Sequence, residues 1–477
     1  MTELPDDREL AGLPVAVLGA GIEGRDLTAF LAARGARVAV FDTRQRATIA
    51  GAVAELEALG AAVRLGPIEA AQADGFARLY VSQSVLLQRE PFVRRMRELG
   101  RPISSMLREF LRRWPGPVCG ITGSSGKTTT TSLVAAAFAA AGKPHILGGN
   151  IGAGLLAQLP AGTAESWAVL EISHTQLQLL ERGPDVAAVT NVTPNHLDQF
   201  TWQEYVALKR RLVQDQPDTG CAILNAGDTV SLSFRNEIAG RCIWFNAPMP
   251  DADCIYLDGE ALIARLGGAE TVFLRRAEIR LRGAHNVENV LCAAATAAAC
   301  GIDLETVAGA VRRFRPVAHR LELVGSVDGV TYVNDSIATS PERTLAGIRS
   351  FEEPLILLLG GREKKLPLGD LVREANARAR AVILFGEAAP LLEAAFREHS
   401  DEGPRTAVVR TATLPEAVAA AHARALPGDV VLLAPACTSF DAYPNFERRG
   451  EEFRRLAGEL AAAAATAATK DGAPSPR

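Results

Sequence analysis

The strongest chemical signal in the chain is Gly123-Ser124-Ser125-Gly126-Lys127-Thr128-Thr129, set between the β-branched run VCGIT and an apolar helical stretch that Gly142 can close. Backbone N–H groups in such a loop, with the helix N-terminus behind them, face phosphate oxygens. Lys127 neutralises the β/γ charge and the Thr128 hydroxyl can ligate Mg²⁺. The strand–loop–helix context marks the segment as an ATP site. A second glycine-rich turn, Gly19-Ala20-Gly21-Ile22-Glu23-Gly24, follows one strand, and the next strand ends in Asp42-Thr43-Arg44. Glycines there let the backbone approach a phosphate, and the acid can reach a sugar hydroxyl. By itself this pattern also fits a plain tight turn or a nicotinamide dinucleotide site.

Other residues have suitable chemistry but a less decisive setting. Glu171 ends a strand and supplies the carboxylate oxygen that Mg²⁺ favours. His196 follows the turn NVTPN, and Lys209 lies beside Arg210 and Arg211. By type alone, such a histidine is more often a core or capping residue and such a lysine a solvated one. Asn286 and Asn289 in GAHNVEN can pair with a purine edge, and Asn286 equally suits a helix cap.

Short apolar runs that would position these residues recur between helical patterns: at 14–21, 36–43, 77–82, 118–123, 168–173, 187–192, 221–225, 330–335, 354–361, 381–386 and 429–436. The alternation predicts α/β architecture with largely parallel sheets. Breaks at RRWPGP (112–117) and FRPVAHR (314–320) divide it into three domains: 1–105, 106–316 and 317–465, followed by a tail at 466–477 whose Gly, Pro and Ser predict disorder. A length of 477 residues agrees with three units. The 51 basic and 55 acidic side chains leave a net charge of -4, which gives no field favouring nucleic acid or an anionic membrane. The start has no secretory pattern and no apolar run is long enough to span a bilayer, so a cytoplasmic location is expected. Seven scattered cysteines are expected to be packing residues, with Cys437 the first candidate for an exception.

The loop TGSSGKTTT resembles that of the Mur ligases and folylpolyglutamate synthetases, and the likeness continues along the chain. Gly148-Gly149-Asn150-Ile151-Gly152, Leu170-Glu171-Ile172-Ser173, Asn191 to Asp198 and Tyr205 to Lys209 resemble successive Mur ligase motifs, as do GAHNVEN (283–289), His319-Arg320-Leu321-Glu322 and Asn334-Asp335-Ser336. The run Ser439 to Gly450, SFDAYPNFERRG, resembles the glutamate-adding branch.

The resemblance implies an N-terminal Rossmann-like domain, a central P-loop ATPase-like domain with a mostly parallel sheet, and a C-terminal Rossmann-like domain. It implies an ATP- and Mg²⁺-dependent ligase that adds D-glutamate to UDP-N-acetylmuramoyl-L-alanine through an acyl phosphate, acting as a monomer. An L-glutamate-adding or other Mur or folylpolyglutamate-type ligase is the alternative. Lys127, His196 and Lys209 would be catalytic, and Thr128, Glu171, His196 and a carbamylated Lys209 would hold two Mg²⁺. ATP would meet Gly123 to Thr129, Asn286, Asn289, Arg320 and Asp335. The nucleotide-sugar end would meet Gly21, Ile22, Glu23, Asp42, Thr43, Arg44, Ser84 and Asn150, and glutamate would meet Thr339, Lys364, Ser439, Phe440 and Phe446. The chain departs from the family pattern at Ser82-Gln83-Ser84, His174-Thr175, Ile337 and Glu363.

Overall fold

The computed structural model describes residues 10–151, 154–197, 199–281, 283–315, 318–351, 353–398 and 406–471, with side chains to residue 464. Gly152 and Asp198 of the motifs, the expected boundary at 316/317 and tail residues 472–477 lie outside the described residues.

The described residues form three sheets. The first comprises β1 (Pro14–Leu18), β2 (Arg37–Asp42), β3 (Ala62–Leu65), β4 (Arg78–Val81) and β5 (Ile103–Ser105), all parallel in the order β3-β2-β1-β4-β5. The second comprises β6 (Val118–Thr122), β7 (His145–Gly149), β8 (Trp167–Glu171), β9 (Val186–Val189), β10 (Cys221–Asn225), β11 (Arg241–Phe245), β12 (Cys254–Asp258), β13 (Ala261–Leu266) and β14 (Ala269–Arg275). Its order is β14-β13-β12-β11-β10-β9-β6-β8-β7, parallel except where β13 pairs with β12 and β14. The third comprises β15 (Glu322–Val327), β16 (Val330–Asn334), β17 (Leu355–Gly360), β18 (Ala379–Phe385), β19 (Ala407–Arg410) and β20 (Val430–Ala436), in the order β15-β16-β20-β17-β18-β19 with β15 antiparallel. The expected α/β class and the mostly parallel central sheet are therefore present.

Physical chemistry separates the strands read from sequence from those that were not. In β6, β10, β17 and β20 every residue is buried, as in parallel sheets covered on both faces, and each reads as a largely apolar run, with Thr122 and Asn225 the polar ends of β6 and β10. Edge strands β3, β14 and β19 and the hairpin arm β13 have mixed burial and carry arginine or glutamate, so no apolar run announces them.

Contacts group the chain into two compact units, Met1–Arg280 with Val287–Phe314, and Leu281–Asn286 with Arg315–Arg477. Within the first unit the N-terminal and central sheets share one apolar core. The expected break at 112–117 is packed over: Trp114 is buried, stacks on Phe110 at 5.1 Å between ring centroids, and donates its indole N–H to the Ser166 carbonyl. Asp26 caps the 156–161 turn, accepting the N–H groups of Leu156 and Ala157 at 2.8 and 3.0 Å. In the second unit, apolar clusters lie on both faces of the sheet. The last helix runs Phe446–Asp471, past residue 466 where disorder was expected, because its alanine-rich run is a strong helix former. Among the described residues no helix is long and apolar enough to cross a membrane. All seven cysteines are free thiols, six of them buried.

The first glycine-rich turn depends on close backbone approach. A Cβ on Gly24 would lie 1.7 Å from the Gly19 carbonyl oxygen. Gly24→Ala is expected to destabilise the first unit by about 1–3 kcal/mol, the usual cost of overpacking. Thermal unfolding followed by circular dichroism checks this, and an unchanged midpoint would contradict it.

Candidate functional site

The order β9-β6-β8 places the C-terminal ends of three strands side by side, where ligands gather in open parallel sheets. From the end of β6 the chain turns through Gly123, φ +148°, and Gly126, φ +78°, into the helix Lys127–Ala140. Both glycines are required by their neighbours as well as by their dihedrals. A Cβ on Gly123 would lie 1.9 Å from Thr190 Oγ1, and one on Gly126 would lie 2.1 Å from Asn289 Oδ1. Loop bonds fix the remainder: Asn191 Oδ1 accepts the Ser125 N–H at 3.0 Å, Thr190 Oγ1 donates to the Ser125 carbonyl at 2.6 Å, and Ser124 Oγ donates to the Thr193 carbonyl at 2.9 Å. Lys127 Nζ folds over the loop, 2.9 Å from the Gly123 carbonyl and 3.1 Å from that of Ser124.

Beside this loop stand a buried carboxylate and a buried amine. Glu171, 2% exposed, ends β8. Its Oε1 accepts from Asn150 Nδ2 at 2.8 Å, while Oε2 is buried with no hydrogen-bond partner. Asn150, expected at the nucleotide-sugar end, thus meets Glu171 and also donates its backbone N–H to the Glu171 carbonyl. Lys209, 1% exposed, reaches in from the helix Trp202–Gln214 and donates to Thr122 Oγ1 at 3.0 Å. Burial pushes the Lys209 amine well below its ordinary pKa; the nearby Lys127 charge adds to this and Glu171 opposes it. His196, at φ +55°, stacks on His174 with ring centroids 4.1 Å apart. Burial, followed by the charges of His196, Lys209 and Lys127, holds the His174 imidazole down at about 3.

Lys127, Glu171, Asn150 and Lys209 are thus gathered at the strand ends, with the His174–His196 pair within electrostatic reach and Thr128 half-buried on the first helical turn. Among the described residues no three His, Cys, Asp or Glu side chains form a metal cradle. The orphaned Glu171 Oε2 is nevertheless the donor a Mg²⁺–phosphate pair needs, since Mg²⁺ usually takes one or two protein carboxylates and completes its shell with phosphate and water. A groove of about 540 Å³ lined by Leu87, Phe200, Leu208 and Arg211 borders the same lysine-bearing helix, and its lining includes none of the phosphate-loop residues.

At the first glycine-rich turn, Asp42 uses both carboxylate oxygens internally: Oδ2 accepts the Ala20 N–H at 2.8 Å, and both oxygens pair with Arg44. Burial works against its charge, but these bonds outweigh it and hold the carboxyl at about 2. The expectation that this acid stands ready for a sugar hydroxyl therefore meets a group already occupied. Glu23 is buried, accepting the Gln83 N–H at 2.5 Å and Gln176 Nε2 at 2.6 Å, which ties the turn to the loop after Glu171. Ser84 Oγ bonds Ser82 Oγ at 2.8 Å, so the departures at 82–84 interlock with one another and with Glu23. Gly21, Ile22 and Thr43 are exposed at this turn.

The second unit gathers a separate set. Lys364 Nζ donates to Thr339 Oγ1 at 3.1 Å, Ser439 is buried and Phe440 is 61% exposed. Asp335 is buried, and burial raises its carboxyl to about 6 against the pull of Arg320. Asn286 is buried at the start of the helix Ala284–Ala299, and Asn289 in the first unit contacts Thr130 Oγ1 at 3.4 Å. Cys437 is buried, and burial pushes its thiol up to about 12, which removes the expected exception among the cysteines.

Comparison with known proteins now adds to this geometry. Residues 121–297 match the Mur ligase middle domain and residues 319–437 match the Mur ligase glutamate ligase domain. The chain is 38% identical over 454 residues to the UDP-N-acetylmuramoylalanine–D-glutamate ligase of Symbiobacterium thermophilum, covering 93% of this chain and 98% of that one. The protein of the same name from Clostridium perfringens is 35% identical, with 94% and 98% covered. The chain belongs to the Mur ligase family. Among solved structures, UDP-N-acetylmuramate–alanine ligase from Thermotoga maritima has a TM-score of 0.60 at 17% identity, covering 94% of this chain and 99% of that one. A pseudomurein peptide ligase from Methanothermus fervidus has a TM-score of 0.55 at 16% identity, covering 94% and 100%. These two share the Mur ligase fold.

In this Mur ligase Thr122, His174 and Thr190 also border the phosphate loop and the buried amine, although their types and spacing did not single them out, and Asn191, the first residue of the 191–198 motif, holds the loop directly. Thr190 and Asn191 precede the His196 turn directly, which is a signal of position. Thr122 carries no pattern of its own and His174 stands out only as a departure from the family pattern; their place shows only when β6 and β8 lie side by side. Gly123→Ala is expected to lower ATP affinity by at least about tenfold while the protein remains folded, a loss of roughly 1.4 kcal/mol in binding. Isothermal titration calorimetry with ATP checks this; unchanged affinity would exclude the loop as the phosphate site.

Proposed function

We propose that this chain is an ATP-dependent ligase that joins D-glutamate to UDP-N-acetylmuramoyl-L-alanine in cytoplasmic peptidoglycan precursor synthesis, releasing ADP and phosphate. The observation that carries the reading is the near full-length likeness to D-glutamate ligases, held by a chain whose Lys127, Glu171 and Lys209 converge beside a phosphate loop.

In this reading a carboxylate oxygen of the nucleotide substrate attacks the γ-phosphorus of ATP. The bond to the β-phosphate oxygen breaks, giving an acyl phosphate and ADP. The glutamate amine then adds to the acyl carbon, loses a proton and expels phosphate, forming the amide. The chain contributes mainly position and charge. Ser124 and Ser125 give their N–H groups to Asn191, so the triphosphate would meet the N–H groups at the start of the helix Lys127–Ala140, and Lys127 would move from the loop carbonyls to the β/γ oxygens. Thr128, Glu171, His196 and Lys209 would hold Mg²⁺, which would supply charge neutralisation for the transferring phosphoryl group.

Lys209 suits this role after carbamylation. Burial weakens the charged form of this amine, and an amine in its neutral form can attack carbon dioxide and release a proton, giving a carboxylate-like anion. Asn286 and Asn289 are assigned to the adenine side, and Arg320 and Asp335 to the nucleotide. Thr339, Lys364, Ser439, Phe440 and Phe446 are assigned to glutamate, with Lys364 and Thr339 already joined by a hydrogen bond. The turn from Gly21 to Glu23, with Asp42 to Arg44 and Ser84, is assigned to the nucleotide-sugar end. Because Glu23 and Asp42 are engaged internally, contacts there fall to backbone N–H groups and the Arg44 guanidinium. The protein is expected to act as a monomer.

Mass spectrometry of the product formed with UDP-N-acetylmuramoyl-L-alanine, ATP, Mg²⁺ and each glutamate enantiomer tests the reading. The D-enantiomer should yield amide, and preference for the L-enantiomer would move the protein to another branch. ATP cleavage at one rate regardless of acceptor would overturn the ligase assignment. Lys364→Ala should raise the KM for glutamate by about 10- to 100-fold, the loss of a charge-assisted bond. Isotopically labelled bicarbonate should give a carbamate resonance that is absent in Lys209→Ala, and spectra identical for both proteins would remove the carbamate.

A further inference from the structure

Three neighbouring strands of the second unit, β16, β20 and β17, end in irregular segments. Each segment carries a residue that the proposed function assigns to glutamate: Thr339 after β16, Ser439 after β20 and Lys364 after β17. Short irregular segments need something other than sheet bonds to hold them in register.

We propose that Arg449 is a positioning residue that clamps these three segments into one acceptor amino-acid site; the inference rests on the glutamate assignment above. Its guanidinium is 0% exposed and makes five hydrogen bonds. Nε donates to Ser336 Oγ at 3.0 Å and Nη2 to the Ser336 carbonyl at 2.9 Å, three residues before Thr339. Nη1 donates to the Gly360 carbonyl at 3.3 Å, at the end of β17. Nη1 and Nη2 also donate to the Thr438 and Cys437 carbonyls, each at 3.1 Å, immediately before Ser439. Ser336 Oγ in turn donates to the Phe446 carbonyl at 2.8 Å, which joins the start of the clamp's own helix to the same node.

The choice of residue argues for geometry rather than charge pairing. All five acceptors are carbonyls or a hydroxyl, so the buried charge has no carboxylate against it within hydrogen-bond distance. Such burial is costly, and an apolar side chain of similar volume fills space more cheaply. What arginine offers is a rigid planar fork of five N–H donors, which reaches three chain segments at once; lysine has three donors on a single atom. Burial draws the guanidinium down to about 10, which leaves it protonated near neutral pH. The segments also close around it: a Cβ on Gly361 would lie 2.0 Å from the Thr438 carbonyl and 2.9 Å from Arg449 Nη1. Arg362 and Thr438 exchange backbone hydrogen bonds, both at 2.9 Å, directly above the fork.

The test compares full-length Arg449→Lys, Ser336→Ala and, as a control, Arg448→Lys at an exposed neighbour. Arg449→Lys should raise the KM for D-glutamate by at least about tenfold, with the KM values of ATP and nucleotide substrate within about threefold of wild type. Ser336→Ala, which removes one acceptor, should shift the glutamate KM in the same direction by about threefold. Arg448→Lys should match wild type.

Amide hydrogen exchange without substrate should quicken in 337–340, 361–365 and 437–446 of the two clamp variants, while the sheet strands remain protected. A lower kcat at unchanged glutamate KM, equal KM changes for all three substrates, or exchange that quickens throughout the unit would overturn the clamp. If Arg449→Lys does not fold, Ser336→Ala decides by the same measurements. Wild-type protein that forms no amide with glutamate sinks the functional reading, and the exchange pattern then judges the clamp by itself.

Discussion

A phosphate site built from backbone N–H groups works only if no side chain enters the space in front of them and something rigid stands behind. Here the backing is close enough that Gly123 and Gly126 press against Thr190 Oγ1 and Asn289 Oδ1, leaving no room for a Cβ. The same contacts bring the end of β9 and the helix Ala284–Ala299 against the loop, so its shape is imposed from two sides. Parallel strand order does the rest: β6, β8 and β9 emerge together, and one edge collects Lys127, Glu171 and the turn leading to His196.

That convergence sets an electrostatic problem whose solution fits the proposed chemistry. Two amines and one carboxylate share a largely buried space, and burial weakens the charged form of the more enclosed amine. Lys209 is therefore the amine whose charged form is the more disfavoured, while half-buried Lys127 retains solvent contact and the loop carbonyls. The orphaned Glu171 oxygen beside that weakened amine leaves one side of the carboxylate uncompensated by any hydrogen bond, which suits the proposed divalent cation.

The second unit solves a different problem. Its three strand ends carry hydroxyls and an ammonium without regular structure to hold them, and the proposed clamp, a buried planar cation placed among carbonyls, gives them rigidity. At the first glycine-rich turn the polar groups are likewise committed: Asp42 to Ala20 and Arg44, Glu23 to Gln83 and Gln176. In both places side chains whose types suggest ligand contact act first on the backbone that surrounds the ligand.

The phosphate loop, the α/β class and most of the buried central strands were legible from sequence because each depends on local requirements: positive φ, helix N-terminal N–H groups, and apolar runs covered on both faces. The edge strands β3, β14 and β19 and the hairpin arm β13 were not, since half-exposed strands carry polar residues that read as loop; β11 and β12 were also missed, each a short run of five whose apolar stretch is broken by a charged end residue. The separation expected at 112–117 was legible as Pro and Gly, yet Trp114 packs into a shared core, and only tertiary contacts reveal that. Residue types alone chose Lys127, Glu171 and Lys209 as candidates. Which of their atoms meet, which amine has its charged form disfavoured and which acids are already bound were decided by the fold, because hydrogen bonding and desolvation depend on neighbours distant in sequence.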